Sequence, residues 1–152
     1  MFMKNSKALL GAGCFWGVEE KFRNINGVMN TKVGYAGGDL INPTYQEVCL
    51  GNTGHAEVVL IEFDTNQISF HQILENFWLC HDPTQLNKQG FDIGNQYRSV
   101  IFYYNEKQKN IAVLSKENYQ KKLSNQIVTE ITKVTNFYSA ENYHQKYIQK
   151  RS

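Results

Sequence analysis

The segment Gly11–Gly17 contains the residue best suited to chemistry in this sequence, Cys14. It follows a short apolar run that predicts a buried strand, and it precedes Phe15, Val18 and Phe22 at helical spacing. A cysteine at the first turn of a helix meets unpaired backbone N–H groups and the positive end of the helix dipole, and both favour the thiolate. We therefore predict a nucleophilic thiol, against the alternative of a small buried cysteine that fills space.

Two other chemistries for this segment are poorly supported. Gly11 and Gly13 begin a dinucleotide-binding fingerprint, but Trp16 stands where the third glycine is required and would block the pyrophosphate. A papain-like cysteine protease is a weak alternative, because Cys14 precedes a tryptophan and His144 lies at a suitable distance downstream. No asparagine follows His144 to orient it, however, and the chain is short for a two-lobed protease.

Reduction of a sulfoxide fits the segment better. A thiolate attacks a sulfoxide sulfur poorly unless the oxygen is protonated as the bonds change. The site therefore needs a nucleophile, a carboxylic acid with a raised pKa and hydroxyl groups that hold the oxygen. It also needs an apolar slot for the S-methyl group, and Phe15 and Trp16 stand beside Cys14 to line one.

The elements that must position these groups are strands and helices in irregular alternation, which predicts an α/β (α+β) two-layer sandwich. We expect one domain over residues 1–152, with a mixed β-sheet, flanking helices and long active-site loops. The predicted strands are 7–12, 28–35, 56–64, 98–104 and 127–134. The predicted helices start near Cys14 and after the capping residues Ser69, Asn105 and Ser139, and the third of them extends to about Asn125.

Two long segments without predicted secondary structure lie between these elements. They are residues 36–55 and the stretch from Pro83 to Tyr97. Structureless loops of this length are unusual in a compact domain unless they have a function. We therefore expect both loops to contribute to the active site.

Composition excludes several classes of protein. Hydrophobic residues make up 41% and charged residues 20%, which is globular, and a net charge of +2 does not indicate a nucleic-acid partner. No apolar run approaches the roughly 20 residues of a membrane span, and the first residues are too polar for a secretory signal. The three cysteines, Cys14, Cys49 and Cys80, indicate free thiols in the reducing cytoplasm. Cys80-His81 lacks a second ligand pair, so we expect no metal.

The segment Gly13–Gly17, followed by Glu19 and Glu20, resembles the signature of the A-type peptide methionine sulfoxide reductases. Several ordered motifs in one chain are far more specific than any single motif, and the sequence is identified as a member of this family. The further matching motifs are Gly34–Gly38, Pro43–Cys49, Gly51–Glu57, Phe77–Trp78, His81–Thr84, Gln89–Gly90, Asp92, Gly94, Gln96–Ser99 and Phe137–Gln145.

The resemblance implies an activity and a role for each site residue. Cys14 is the nucleophile and Glu57 protonates the sulfoxide oxygen, to which the hydroxyls of Tyr45 and Tyr97 bond. The family takes the S epimer of methionine sulfoxide, free or in peptides and proteins, and repairs oxidised proteins with reducing equivalents from thioredoxin. The implied substrate-binding residues are Phe15 and Trp16, which form the methyl pocket, and Asp92, which helps to orient the substrate.

The residues themselves agree with two of these roles. Glu57 lies at the start of an apolar strand, where desolvation would raise its pKa and keep it protonated near neutral pH; the alternative is a solvent-facing strand glutamate. Tyr45 and Tyr97 lie in the two long loops, where functional side chains concentrate.

The recycling route stays open at this point. The chemistry leaves a sulfenic acid at Cys14. Many family members carry a C-terminal tail with recycling cysteines, which we expect this chain to lack, since it ends at Arg151-Ser152. We expect no bound cofactor. In one route, thioredoxin, glutaredoxin or another thiol reduces the Cys14 sulfenic acid directly. In the other, Cys49 or Cys80 first forms a disulfide with Cys14, and Cys49 is the candidate nearer to the site residues in sequence. We expect a monomer without nucleic-acid or membrane partners. The non-catalytic alternative is a module that binds oxidised peptides.

Overall fold

The strands of the computed structural model, which describes residues 5–151, form a six-stranded sheet and a separate two-stranded hairpin. In chain order they are β1 (Asn5–Ala12), β2 (Val28–Ala36), β3 (Ala56–Asp64), β4 (Lys88–Gln89), β5 (Asp92–Ile93), β6 (Ser99–Tyr103), β7 (Glu130–Lys133) and β8 (Tyr138–Ser139). The large sheet has the order β7-β6-β1-β3-β2-β8. Its neighbours are antiparallel except for the parallel pair β6 and β7, so the predicted mixed sheet is confirmed.

The helices pack mainly against one face of this sheet. They are α1 (Phe15–Arg23), α2 (Tyr45–Cys49), α3 (Phe70–Leu79), α4 (Glu106–Gln120) and α5 (Tyr147–Arg151), with 3-10 turns at Asn95–Tyr97 and Asn142–His144. Successive strand residues point to opposite faces. Leu10 and Val59 therefore lie in the core under the helices, whereas Leu9 and Val58 lie in a second cluster that Phe137 covers. The predicted two-layer arrangement is confirmed.

Local sequence signals set several of the element boundaries. The strand predicted over residues 56–64 has those bounds. Ser69 forms the predicted capping box, since its hydroxyl accepts the Gln72 N–H and the Gln72 side chain accepts the Ser69 N–H. Asn105 caps the next helix by accepting the Gln108 N–H.

Other predicted boundaries were wrong. The segment 36–55 contains α2, which begins at a capping box between Thr44 and Glu47, and the second predicted loop contains the β4–β5 hairpin. Ser139 does not cap a helix, because the edge of β2 offers it strand pairing in β8, and the last helix begins at Tyr147. Helix α4 ends at Gln120 rather than near Asn125, and strand β7 is shorter than predicted.

The topology brings four chain segments to one end of the sheet. Strand β1 is antiparallel to β3 and β6, so the residue after its carboxyl end, Gly13, lies beside the first residues of both neighbours. The register pairs Ala12 with Ser99 in β6 and Tyr35 with Glu57 in β2 and β3. This end therefore gathers the start of α1, the start of β3, the chain before β6 and the loop after β2.

None of the helices within residues 5–151 combines the length and the apolar character that crossing a bilayer requires.

Candidate active site

Cys14 lies in the turn between β1 and α1. Gly13 makes this turn with φ of 100°, a region that side chains rarely adopt, and Cys14 takes the N-cap position of the helix. Burial raises the pKa of the half-buried thiol to about 11, although the backbone N–H groups of Trp16 and Gly17 lower it. The negative charge of Glu57 adds to the rise. The helix start favours the thiolate, as expected, but desolvation outweighs this effect.

Glu57 is buried at the start of β3, and only 1% of its surface is exposed. Its Oε1 accepts the backbone N–H of Phe15 at 3.2 Å, and its Oε2 has no hydrogen-bond partner in the described part of the chain. Burial raises the pKa of this carboxyl to about 8, against the lowering effect of the Phe15 N–H. Burial therefore shifts the pKa in the predicted direction, toward a protonated carboxyl at neutral pH, and the oxygen without a partner is available to a ligand.

Tyr45 and Tyr97 lie near this carboxyl, since the charge of Glu57 contributes to the raised pKa of both phenols. Burial is the main cause of a raised pKa for both phenols, to about 12 for Tyr97, so both hydroxyls keep their protons. The Tyr45 hydroxyl also bonds to the side chain of Cys49, one helical turn later in α2. Tyr97 interacts with both Cys14 and Cys49. The two long segments therefore meet at the candidate site, as predicted.

Asp92 enters the site from the β4–β5 hairpin. Gln89, its partner in the hairpin, lies so close to Gly13 that a Cβ on Gly13 would come within 2.9 Å of the Gln89 Cβ. Asp92 itself is exposed, and its charge contributes to the raised pKa of Cys14 and of Glu57. The structure thus brings the predicted substrate-orienting residue to the cluster.

Phe15 and Trp16 differ in what they present to a ligand. Phe15 is 1% exposed, and its ring packs against Tyr35, Tyr45 and His144, with centroid distances of 5.8, 6.3 and 5.3 Å. Trp16 is only partly buried and lies 6.5 Å from the Tyr45 ring. Trp16 therefore offers the larger apolar surface, while Phe15 supports the site from beneath.

Three side chains of the C-terminal segment complete the site. The sequence suggested a supporting or protease-like role for His144 and none for Glu141 or Tyr147. Glu141 accepts the Tyr35 hydroxyl at 2.9 Å and the Tyr45 N–H at 3.0 Å. Tyr147 stacks on Trp16 at 3.8 Å between ring centroids, and His144 accepts the indole N–H. Glu141 and His144 lie in a quoted motif, but only tertiary packing reveals which residues they hold.

The remaining cysteines occupy different environments. Cys49 is exposed, and its thiol lies next to Tyr45 and within the field of Glu57. Cys80 caps the end of α3, where its thiol donates to the Phe77 carbonyl at 3.2 Å and burial raises its pKa to about 11. Of the two candidate resolving thiols, Cys49 shares the neighbours Glu57 and Tyr97 with Cys14, whereas Cys80 lies among other neighbours.

A thiol at a helix start, a buried carboxyl that holds a proton and two phenol hydroxyls are the equipment of a thiol-dependent oxidoreductase. Comparison with known proteins agrees. A family model described as peptide methionine sulfoxide reductase matches residues 6–152. The peptide methionine sulfoxide reductase MsrA of Methanosarcina acetivorans is 54% identical over 147 residues, which cover 95% of this chain and 78% of the relative.

Solved structures show the same fold. Reduced Mxr1 from Saccharomyces cerevisiae superposes with a TM-score of 0.93 at 37% identity, covering 97% of this chain and 86% of that one. Mxr1 in complex with Trx2 matches with a TM-score of 0.67 at 26% identity, covering 95% and 85%. The chain belongs to the peptide methionine sulfoxide reductase family, and it is an enzyme that reduces methionine sulfoxide.

Proposed function

We propose that the protein reduces the S epimer of methionine sulfoxide, free and in peptides and proteins, with Cys14 as the nucleophile and Glu57 as the acid. The observation that carries this proposal is the buried Glu57 carboxyl with a pKa of about 8 beside the Cys14 thiol. A sulfoxide is a poor electrophile, so its reduction requires an acid that is protonated at neutral pH. A glutamate at the protein surface would be ionised at that pH.

The reaction balances without an added cofactor. As Cys14 Sγ attacks the sulfoxide sulfur, Glu57 gives its proton to the sulfoxide oxygen, and the Tyr45 and Tyr97 hydroxyls donate hydrogen bonds to that oxygen. The thiol proton of Cys14 restores the acid. The hydroxyl then transfers to Cys14 Sγ as the S–O bond of the substrate and the new S–S bond break, so methionine leaves with two more electrons than the sulfoxide had and Cys14 becomes a sulfenic acid. The high pKa of the thiol supports a step in which its proton leaves as the bond to sulfur forms.

In this proposal the substrate packs against the aromatic rings of Trp16 and Phe15. The S-methyl group lies against Trp16 with Phe15 behind it, and Asp92 orients the polar part of the substrate. The stacked Tyr147 already covers one face of the Trp16 indole, because a centroid distance of 3.8 Å leaves no room between the rings. The methyl group therefore uses the opposite face or the indole edge.

Recycling by thioredoxin is part of the proposal. The solved complex of Mxr1 with Trx2 supports it, since that relative shares the fold. The exposed thiol of Cys49 beside Tyr45 supports an intermediate disulfide with Cys14, whereas direct reduction of the sulfenic acid is the competing route. A catalytic thiol that depends on thiol reductants also favours the cytoplasm as the working compartment. The monomeric state and the single domain stay predictions.

The experiment that tests the function is reduction of each resolved epimer of a blocked methionine sulfoxide, with dithiothreitol as reductant. Wild type is compared with Cys14→Ser. Turnover of the S epimer alone, lost in the variant, is the expected result. Turnover that survives the substitution would exclude Cys14 as the nucleophile. Binding without turnover in the folded, reduced protein would instead favour a peptide-binding module.

A further inference from the structure

We propose that Gln89 is a positioning residue: its side-chain amide, bonded to both backbone groups of Asp82, holds the β4–β5 hairpin in place and thereby keeps the Asp92 carboxylate at the site. The effect on catalysis rests on the proposed function, in which Asp92 orients the polar part of the substrate. Gln89 acts through Asp92 in this arrangement, and not through a contact with the sulfoxide.

The hairpin that carries Asp92 is too short to hold its own position. Strands β4 and β5 contain two residues each and form a sheet of their own, separate from the six-stranded sheet. An isolated two-stranded hairpin is at best marginally stable in water. Contacts outside the hairpin must therefore fix the position of Asp92, which is exposed.

The Gln89 side chain provides such a contact through both ends of its amide. Its Oε1 accepts the Asp82 N–H at 2.9 Å, and its Nε2 donates to the Asp82 carbonyl at 2.9 Å. An amide has one acceptor end and one donor end, so this pair of bonds fixes its orientation. A methionine side chain of similar length can form neither bond.

Asp82 is a rigid support because the residue before it is bonded to the large sheet. The ring of His81 lies 2.7 Å from the hydroxyl of Ser99, the first residue of β6. Ser99 pairs in register with Ala12, which lies two residues before Cys14. The support for Gln89 is therefore connected to the end of the strand that presents the proposed nucleophile.

Gln89 also packs directly against the turn that contains Cys14. A Cβ on Gly13 would lie 2.9 Å from Gln89 Cβ and 3.0 Å from Gln89 Cγ, so the glycine leaves room for this side chain. Asp92 is opposite Gln89 in the hairpin register, and residues directly opposite in an antiparallel pair share a face. The carboxylate therefore lies on the face that meets Gly13, and its charge adds to the raised pKa of Cys14 and Glu57.

A second amide holds the turn of the hairpin together. Gln85 Oε1 accepts the Gly90 N–H at 2.9 Å, and Gln85 Nε2 donates to Asp82 Oδ2 at 3.0 Å. Asp82 thus supports the hairpin through its backbone, by Gln89, and through its carboxylate, by Gln85. Substitution of Gln89 leaves the Gln85 bonds intact, so we expect the hairpin to shift without unfolding.

The test measures the local charge at Cys14 with two thiol reagents of opposite sign. Methanethiosulfonates that carry a trimethylammonium or a sulfonate group modify the same thiol by the same chemistry. Peptide mapping by mass spectrometry gives the rate at Cys14 for each reagent. The ratio of the cationic to the anionic rate reports nearby charge, because the accessibility and the pKa of the thiol affect both rates alike. The proteins are wild type, Gln89→Met, Asp92→Asn and the double variant.

Both single variants are expected to lower this charge ratio by about fivefold, since a unit charge roughly 8 Å away in water changes each rate by about twofold, in opposite directions. The double variant should lose no more than either single variant, because Gln89 acts only through Asp92. In turnover with dithiothreitol, all three variants should raise KM for the S epimer by about tenfold with little change in kcat.

A matched control lies at the end of α4. Gln120 Nε2 donates to the Asn125 carbonyl at 2.9 Å, and Gln120 Oε1 accepts the Ile127 N–H at 2.7 Å. Gln120→Met therefore removes the same two kinds of bond from a loop that contributes no residue to the site. It is expected to lower Tm and to leave the charge ratio and KM unchanged.

A wild-type charge ratio in folded Gln89→Met or in Asp92→Asn would overturn the proposal. A loss in the double variant equal to the product of the two single losses would overturn it as well, because Gln89 would then act independently of Asp92. Gln89→Asn, whose amide is one methylene too short to reach Asp82, gives the same comparison if the Met variant does not fold. The reagents need no sulfoxide, so the charge ratio still tests Gln89 if the proposed function fails, and that failure appears separately as sulfoxide turnover in Cys14→Ser.

Discussion

Phe15 donates its backbone N–H to Glu57 Oε1 at 3.2 Å, so the helix that starts after Cys14 is joined to the second residue of β3. The backbone of Phe15 thus fixes the distance between Cys14, the proposed nucleophile, and Glu57, the proposed acid. The same bond leaves the other carboxyl oxygen free to face a sulfoxide.

Glu57→Gln is expected to lower the single-turnover rate of sulfoxide reduction by about a hundredfold or more, a typical general-acid contribution. The amide still accepts the Phe15 N–H, so the fold around Cys14 is kept, but it has no acidic proton to give. Rapid quench with the S epimer measures the rate. Glu62→Gln on the same strand is the control, and an unchanged rate in Glu57→Gln would remove Glu57 from the acid role. In wild type the rate should fall as pH rises through about 8, where Glu57 ionises.

The same carboxyl should make stability depend on pH. Below its ordinary pKa of 4.5, Glu57 is protonated in both the folded and the unfolded state. Between that value and about 8, only the unfolded state releases the proton, so the free energy of unfolding falls as pH rises, by about 1.4 kcal/mol per unit. Glu57→Gln lacks this loss. Urea denaturation at acidic and mildly alkaline pH should show the variant gaining relative to wild type as pH rises, and parallel pH profiles would contradict the raised pKa.

Tyr45→Phe and Tyr97→Phe should each lower kcat by about tenfold, because each removes one hydrogen bond to the sulfoxide oxygen. The double variant should lose more than either single variant. Tyr104→Phe, a tyrosine beyond the end of β6, serves as the control and should keep wild-type kcat. Steady-state kinetics with dithiothreitol measure all four proteins. Wild-type kcat in the double variant would show that neither hydroxyl holds the oxygen.

Cys49 is expected to form a disulfide with Cys14 after one turnover without reductant. Its exposed thiol lies by Tyr45, and Tyr97 interacts with both cysteines. Peptide mapping by mass spectrometry should find this disulfide in wild type and in Cys80→Ser. Cys49→Ser should instead accumulate a sulfenic acid at Cys14, trapped with dimedone. A stable sulfenic acid in wild type, with no internal disulfide, would favour direct reduction by thioredoxin or another thiol.

Gly13→Ala should destabilise the fold by about 1–3 kcal/mol, since a side chain there adopts a strained φ of 100° and its Cβ meets Gln89. Gly17→Ala is the matched control in α1. No atom lies within 4 Å of the added Cβ, and alanine favours a helix over glycine, so its stability should rise by up to about 1 kcal/mol. Thermal unfolding of both variants measures the difference, and an equal Tm for Gly13→Ala and wild type would contradict the strain at this turn.

Local sequence signals were sufficient to predict the bounds of an element when those bounds depend only on residues within or next to it. The content of Val, Leu and Ile predicted β3 with its observed bounds, and Ser69 with Gln72 marked the start of α3. Thr44 and Glu47 form the same kind of capping box at the start of α2, but five residues are too few to show a helical period inside the predicted loop. Ser139 was misassigned for a different reason, since its strand exists only because β2 offers an edge to pair with.

The amino-acid sequence was sufficient to predict the family, the two-layer fold and the proposed catalytic residues, because ordered motifs and apolar strand segments are present along the chain. It also determined that Glu57 would be desolvated, since an apolar strand surrounds it. The burial of the Cys14 thiol and the partners of Trp16 could be found only from the packing of the folded chain. The helix start favours a thiolate, but burial reverses this, and burial depends on neighbours distant in sequence. Likewise His144 contacts Trp16 only because hydrogen bonds hold the C-terminal segment against α1 and β2.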